Sequence, residues 1–303
     1  MVSWQTTTTS LLSRLTVKQL LQLDVSVERL REQIGAIERL FPARPPGFEV
    51  SHEHPLPNCG AEWLRGAGLA EDRVILHFPG GAYVARLPNM ERAMLARLCT
   101  AANARARIVH YRLAPEHPFP AGHDDALGAY QQLLSLGIEP SRIVLSGISA
   151  GGGLALAVLL AIRDRGLPAP AGALLMSPLT DLTDPHDGSR VSNAARDPVL
   201  SHKRGIEMRA MYVGGDERRL THPWVSPVYG EYTGLPPLYF QVGSTEILLD
   251  DSRRAVERAR AAGVSAELEV WKEMPHGWQG LPYTPESQRA IDRAADFVRE
   301  RCP

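Results

Sequence analysis

Cysteine is scarce. The chain of 303 residues holds three, Cys59, Cys99 and Cys302, too few and too scattered for a disulfide framework or a cysteine zinc site. An odd number of thiols fits a reducing compartment, and a cytoplasmic location is expected. A charge excess is lacking as well: 33 lysines and arginines face 34 aspartates and glutamates, for a net charge of −1. With no basic surplus to neutralise phosphates, nucleic acid is not an expected partner. The amino-terminal stretch MVSWQTTTTSLLSRLTVKQLL has no basic region followed by a long apolar run, so no secretory signal is read there. Long apolar runs are absent but for Val144 to Ile162, which carries no charge but is broken by Gly147 and by Gly151, Gly152 and Gly153. It reads as a buried strand, a sharp turn and a buried helix rather than a bilayer span. Apolar residues at 44% and charged residues at 22% are those of a soluble globular protein, which excludes a disordered, collagenous or multi-span membrane chain.

What is present is organised around a seam. From residue 14 to 41, Leu15, Val17, Leu20, Leu21, Leu23, Val27, Leu30, Ile34, Ile37 and Leu40 recur at helical spacing, predicting one or two amphipathic helices. Pro42, Pro45, Pro46 and Gly47 then break the pattern. Beyond the seam, strand and helix signals alternate. Strands are predicted at Phe48–His54, Ala61–Arg65, Arg73–Phe78, Arg107–Arg112, Arg142–Ile148, Gly172–Ser177, Leu238–Gly243 and Ala266–Lys272. Helices are predicted at Asn89–Ala104, His123–Leu136, Ala150–Arg165, Asp250–Ala262 and Pro285–Arg301. Short apolar strands separated by helices predict an α/β fold with a mostly parallel sheet covered on both faces. Residues 181–222 interrupt the rhythm with proline, charge and one helix near Ser201–Tyr212, and read as an insertion.

Gly147-Ile148-Ser149-Ala150-Gly151 joins the apolar strand IVLSGI to the apolar helix GLALAVLLAI. A serine in Gly-x-Ser-x-Gly at a strand-to-helix turn is a nucleophile elbow. The helix N-terminus behind it presents free N–H groups to a developing oxyanion. Of ten histidines, His276 in Met274-Pro275-His276-Gly277-Trp278 follows the last strand and is positioned by backbone as a base. Glu246, just past the strand LYFQV, is the orienting carboxylate. Asp250 and Asp251 follow within a turn and read as helix N-terminal charges. A second oxyanion donor is expected in the glycine-bearing loop Phe78-Pro79-Gly80-Gly81-Ala82-Tyr83. His52 and His54 read as surface residues sharing one face of an early strand. His117 and His123 with Asp124 and Asp125 could mimic a metal cluster, but nothing at ligand spacing supports one. No metal or organic cofactor is implied.

Together these residues resemble the hormone-sensitive lipase family of α/β hydrolases, in its bacterial carboxylesterase branch. Ser149, Glu246 and His276 follow the nucleophile–acid–base order of α/β hydrolases. The stretch Tyr111-Arg112-Leu113-Ala114-Pro115-Glu116-His117-Pro118-Phe119-Pro120-Ala121 is highly specific to the family, and Ser177-Pro178-Leu179-Thr180-Asp181, Ser226-Pro227 and Gly234-Leu235-Pro236-Pro237 add to it. Three departures stand out. The family's His-Gly-Gly-Gly loop reads Pro79-Gly80-Gly81-Ala82, Ile148 replaces an aspartate beside the nucleophile, and Glu246 stands where aspartate is common. The resemblance implies an α/β-hydrolase domain over residues 1–303, with a helical cap from residues 1–45 and 181–222. It places the oxyanion N–H donors at Gly81, Ala82 and Ala150, with Gly80 in the same loop. It also implies serine carboxylesterase activity on small esters of short to medium acyl chain through an acyl-enzyme. A lactone, amide or carbamate hydrolase is the alternative, and a non-catalytic ligand binder of the same fold is a further one, disfavoured by the presence of His276. A homodimer joined through the last strand is a possible assembly.

Overall fold

The computed structural model describes residues 2–22, 25–183 and 187–303. Leu23 of the leading apolar pattern, and positions 1, 23, 24 and 184–186 of the two spans assigned to a cap, lie outside the described residues. The chain opens with α1 (Trp4–Leu15), α2 (Val17–Gln22) and α3 (Val27–Glu38). Strands β1 (Phe48–Ser51), β2 (Gly60–Gly66) and β3 (Val74–Phe78) lead to α4 (Pro88–Ala102), β4 (Arg105–His110) and α5 (Ala121–Ser135). Then come β5 (Ile143–Ile148), α6 (Ala150–Asp164), β6 (Gly172–Met176), α7 (Gly188–Ser192) and α8 (His202–Tyr212). The chain closes with β7 (Leu238–Gly243), α9 (Leu249–Ala261), β8 (Ala266–Trp271) and α10 (Pro285–Arg301).

The strands form one eight-stranded sheet in the order β1-β2-β4-β3-β5-β6-β7-β8. It is parallel from β4 to β8, while β2 runs antiparallel to both β1 and β4. Between β3 and β5 the strand order reverses direction, the switch point at whose carboxyl ends open α/β sheets bind ligands. Alternate residues along the central strands β3, β5, β6 and β7 feed two cores. Val74, Leu76, Leu145, Leu175 and Phe240 pack with α5, α6 and α9 on one face. Ile75, Val144, Leu174, Met176 and Tyr239 pack with α4 and α10 on the other. Burial on both faces explains why these strands read as continuous apolar runs. Every residue of α6 from Ala150 to Ile162 is buried, as its all-round apolar character requires.

The leading segment differs from expectation. A helix already forms at Trp4, through threonine-rich sequence that carries no apolar period. The Ser3 hydroxyl caps it by accepting from the Thr6 N–H. Glu286 of α10 then anchors it, accepting from the Ser3 N–H at 2.8 Å, the Ser3 hydroxyl at 2.7 Å and the Thr6 hydroxyl at 2.8 Å. From the same segment Arg14 donates to the carbonyls of Ala195 and Arg196, and Lys18 to those of Ala194 and Asp197. In return Arg204 donates to the Val25 carbonyl. The leading helices and the 188–212 segment are thus stitched side chain to backbone. A second correction concerns β1, which ends at Ser51. His52 and His54 lie beyond it, exposed, and share no strand face.

Candidate active site

Ser149 lies between β5 and α6 with φ 57° and ψ −124°, a left-handed backbone that a non-glycine residue holds only under constraint. The constraint is visible. The Ser149 N–H donates to the Met176 carbonyl at 2.9 Å, and its carbonyl accepts from the N–H groups of Gly152, Gly153 and Leu179. Small neighbours make the turn possible. A Cβ on Gly147 would stand 2.1 Å from the Gly151 carbonyl oxygen, and one on Gly151 would stand 1.9 Å from that of Phe78. The elbow therefore packs backbone on backbone against the end of β3. Ala150, as the first residue of α6, carries an N–H with no partner inside the helix.

The loop after β3 lies against this elbow. A Cβ placed on Gly80 would be 3.1 Å from the Ile148 carbonyl oxygen and 3.5 Å from the Ser149 Cβ. Gly81, Ala82 and Tyr83 all have positive φ, at 111°, 53° and 63°. Glycine takes such angles without strain, but for alanine and tyrosine the left-handed region costs about 1–2 kcal/mol each. The Gly81 carbonyl accepts from the N–H groups of Val84 and Ala85 and closes the turn.

Glu246 and His276, read from the sequence as acid and base, come from the far side of β5. Glu246, fully buried, follows β7, and its Oε2 lies 2.7 Å from His276 Nδ1. A carboxylate only accepts, so Nδ1 carries the proton and Nε2 remains for a second partner. Glu246 Oε1 accepts from the Ser177 hydroxyl at 2.8 Å and from the Gly243 N–H at 2.6 Å. Burial lowers the pKa of His276, but the Glu246 hydrogen bond and the charges of Glu246 and Asp197 outweigh it and hold the imidazole above its ordinary value. The His276 loop reaches back to the elbow, since a Cβ on Gly277 would lie 3.6 Å from Ile148 Cδ1. Ile148 is thus an apolar wedge between the oxyanion-side loop and the histidine loop, where a carboxylate would be left without water.

Two aspartates read as simple helix-end charges do more than that. Asp250 Oδ2 accepts from the Ser189 N–H at 2.6 Å, while Asp251 Oδ2 accepts from the N–H groups of Thr180 and Asp181 and Oδ1 pairs with Arg190 at 2.7 Å. Burial pushes the Asp251 carboxyl up, against the pull of Arg190. Neither contacts His276. Three residues that hold the acid escaped the sequence reading. Ser177 binds Glu246 directly. Asn193 Nδ2 donates to the carbonyls of Ser244 and Glu246, and Asp197 Oδ2 accepts from the Ile247 N–H at 3.0 Å. Asn193 and Asp197 leave only the signal of polar residues within the 181–222 insertion, and Ser177 that of a serine ending a strand, and neither signal names a partner.

The histidine–aspartate grouping does not converge. His123 is fully buried and stacks on Trp224 at 4.6 Å, whereas Asp125 pairs with Arg112 at 2.8 Å. Among the described residues, no group of three or more histidine, cysteine or acidic side chains could hold a metal ion.

A cavity of about 60 Å³ lies beside the site, walled by apolar residues such as Ala82, Tyr83, Leu179, Ile206, Met208 and Ile247 and also by Asp181, Arg190, His202 and Arg209. Neither Ser149 nor His276 lines it. Its link to them runs through Ala82, through Leu179, whose N–H binds the Ser149 carbonyl, and through Ile247 beside Glu246.

Residues 75–280 match the family model described as alpha/beta hydrolase fold. The chain is 40% identical over 276 residues to an acetyl-hydrolase of Streptomyces hygroscopicus, covering 91% of this chain and 88% of the relative. It is 33% identical over 300 residues to an esterase of Acinetobacter venetianus, covering 97% and 96%. A crystal structure of an esterase from the bacterial hormone-sensitive lipase family superposes with a TM-score of 0.92 at 36% identity, over 100% of both chains. The elbow, the buried acid–histidine pair and these similarities agree: the chain belongs to the bacterial hormone-sensitive lipase family of α/β hydrolases.

Proposed function

We propose that this carboxylic ester hydrolase cleaves short-chain esters through an acyl-enzyme on Ser149. Ser149 Oγ attacks the ester carbonyl, and His276 takes its proton and passes it to the leaving alcohol. Glu246 orients the imidazole and stabilises its cation. The N–H groups of Gly81, Ala82 and Ala150 receive the tetrahedral oxyanion, and water then attacks the acyl-enzyme with His276 as base. The observation that carries this reading is the buried Glu246–His276 pair at 2.7 Å on a loop that touches the residue before Ser149.

The leading helices and residues 188–212 act as a cap over the site. Tyr83 of the oxyanion-side loop stacks on Tyr212 of α8 with ring centroids 3.8 Å apart, tying cap and loop together. The acyl group enters the cavity of about 60 Å³, which has room for roughly four to six water-sized groups. A few carbons fit there and a long chain does not. The three free thiols suit a cytoplasmic enzyme, and among the described residues no helix is long and apolar enough to cross a membrane. Strand β8 leaves one edge of the sheet unpaired, and a second copy pairing there would give a homodimer. The experiment is a panel of p-nitrophenyl esters from acetate to palmitate, with a lactone, an amide and a carbamate beside it. Highest kcat/KM from acetate to butyrate is expected. A maximum at octanoate or beyond contradicts the acyl assignment, and faster turnover of the amide contradicts ester preference.

A further inference from the structure

The loop that carries the oxyanion donors has lost the histidine of the family pattern, and Pro79 stands in its place. The Pro79 carbonyl and the Gly80 N–H belong to one planar peptide unit. The Tyr111 hydroxyl donates to that carbonyl at 2.7 Å, and the Gly80 N–H donates to Glu91 Oε1 at 2.8 Å. Both ends of the plane are therefore gripped by buried side chains, and the plane cannot rotate without breaking both bonds. Glu91 sits in the first turn of α4, and its Oε2 lies 2.6 Å from His77 Nε2 in β3. His77 Nδ1 lies 3.2 Å from the hydroxyl of Ser146, three positions before the nucleophile in β5. Glu91, His77, Tyr111 and Ser146 are each 1% exposed or less.

We propose that Glu91 is a positioning residue for oxyanion stabilisation, held in place by His77. The inference rests on the acyl-enzyme reading of Ser149. With the Gly80 N–H committed to Glu91, the next two amides, of Gly81 and Ala82, are left to serve the oxyanion. Their strained, positive-φ backbone begins one residue beyond the clamped plane, and such strain persists only where surrounding contacts over-determine it. A buried carboxylate accepts only, and left with one amide donor it would be costly to bury. His77 supplies the second donor through Nε2, so both carboxylate oxygens of Glu91 are engaged and the loop is gripped by a fully partnered side chain. A histidine inside the apolar run VILHF, and a glutamate two residues after Asn89 at a helix start, are the sequence traces of this pair.

The test is steady-state kinetics on p-nitrophenyl acetate, per active site titrated to endpoint with a phosphonate, together with the affinity for a trifluoromethyl ketone that forms a hemiketal on the serine. Glu91→Met is expected to lower kcat roughly 10- to 100-fold, as small misplacements in an active site do, with KM nearly unchanged and ketone affinity falling by the same factor. Glu91→Gln, whose amide oxygen can still accept from Gly80, is expected to recover most of the loss. A purely structural role would lower Tm but leave kcat per titrated site and ketone affinity at wild-type values, and that result overturns the proposal. Should Glu91→Met fail to fold, Tyr111→Phe releases the other end of the same peptide plane. A parallel drop in kcat and ketone affinity then supports the proposal, and no change in either overturns it. Ser149→Ala runs in the same assay: residual wild-type turnover there would defeat the acyl-enzyme reading itself.

Discussion

Glu246 has both carboxylate oxygens committed, one to His276 and the other to the Ser177 hydroxyl and the Gly243 N–H. Glu246→Gln therefore changes the charge while keeping the shape, and its amide can satisfy only part of this set. A large fall in kcat is expected; the equivalent aspartate-to-asparagine change in trypsin costs about 10⁴. Because catalysis needs neutral His276, kcat/KM in the wild type should rise with pH through an ionisation above the ordinary histidine value of about 6.5. The residual activity of Glu246→Gln should rise through a lower one, since the raising charge is gone. A limb at the same pH in both enzymes would show that Glu246 does not set it. Asp250→Asn should leave kcat near wild type, because Asp250 binds Ser189 and not the imidazole. Asp251→Asn should instead lower stability by weakening a buried pair with Arg190, with the pH limb unmoved.

At the scale of elements, the elbow between β5 and α6 depends on bare backbone at two glycines. Gly147→Ala would put a methyl group 2.1 Å from the Gly151 carbonyl oxygen. Overpacking of this kind costs roughly 1–3 kcal/mol, and relief requires the turn that carries Ser149 to shift. Thermal unfolding should move down, and kcat per folded molecule should fall with it. A Gly147→Ala enzyme with wild-type Tm and kcat would contradict the close packing. The elbow was legible because glycine, serine and two apolar runs announce a strand, a turn and a helix in order. The central strands β5, β6 and β7 were legible for the same reason: burial on both faces leaves mostly apolar residues, and their predicted ends fall within two residues of those observed. The helix Trp4–Leu15 was not legible, because its threonines are held by a Ser3 cap and by Glu286, 283 residues away from Ser3. Polar partners brought together only by folding leave no period in the sequence. The supports of the acid loop were hidden likewise, since Ser177, Asn193 and Asp197 reach it through one or two hydrogen bonds each, from segments that only folding brings beside it.

Across the whole molecule, one buried polar group makes stability depend on pH. His123 in α5 stacks on Trp224. Burial, reinforced by the charges of Arg165 and His222 and only partly offset by a hydrogen bond with the Ala157 backbone, pulls its pKa down to about 4. Between pH 6.5 and 4 the unfolded chain binds a proton at this site that the folded chain refuses, so stability falls as pH falls through that window. The loss is about 3 kcal/mol at most, from 1.36 kcal/mol per pKa unit. Urea unfolding of wild type and His123→Leu at pH 7 and pH 4.5 should show a smaller acid loss in the variant, and equal losses would contradict the assignment. The whole enzyme turns on one atom, Ser149 Oγ, working with His276 and Glu246. Intact-protein mass spectrometry after reaction with a p-nitrophenyl phosphonate, read beside esterase activity, tests this directly. One phosphonyl group per chain is expected, located on Ser149, with activity lost in proportion to labelling. No label is expected on Ser149→Ala, with kcat down by a factor approaching the roughly 10⁶ seen when subtilisin loses its serine. Labelling at another residue, or a Ser149→Ala enzyme that keeps a tenth of wild-type activity, would contradict this.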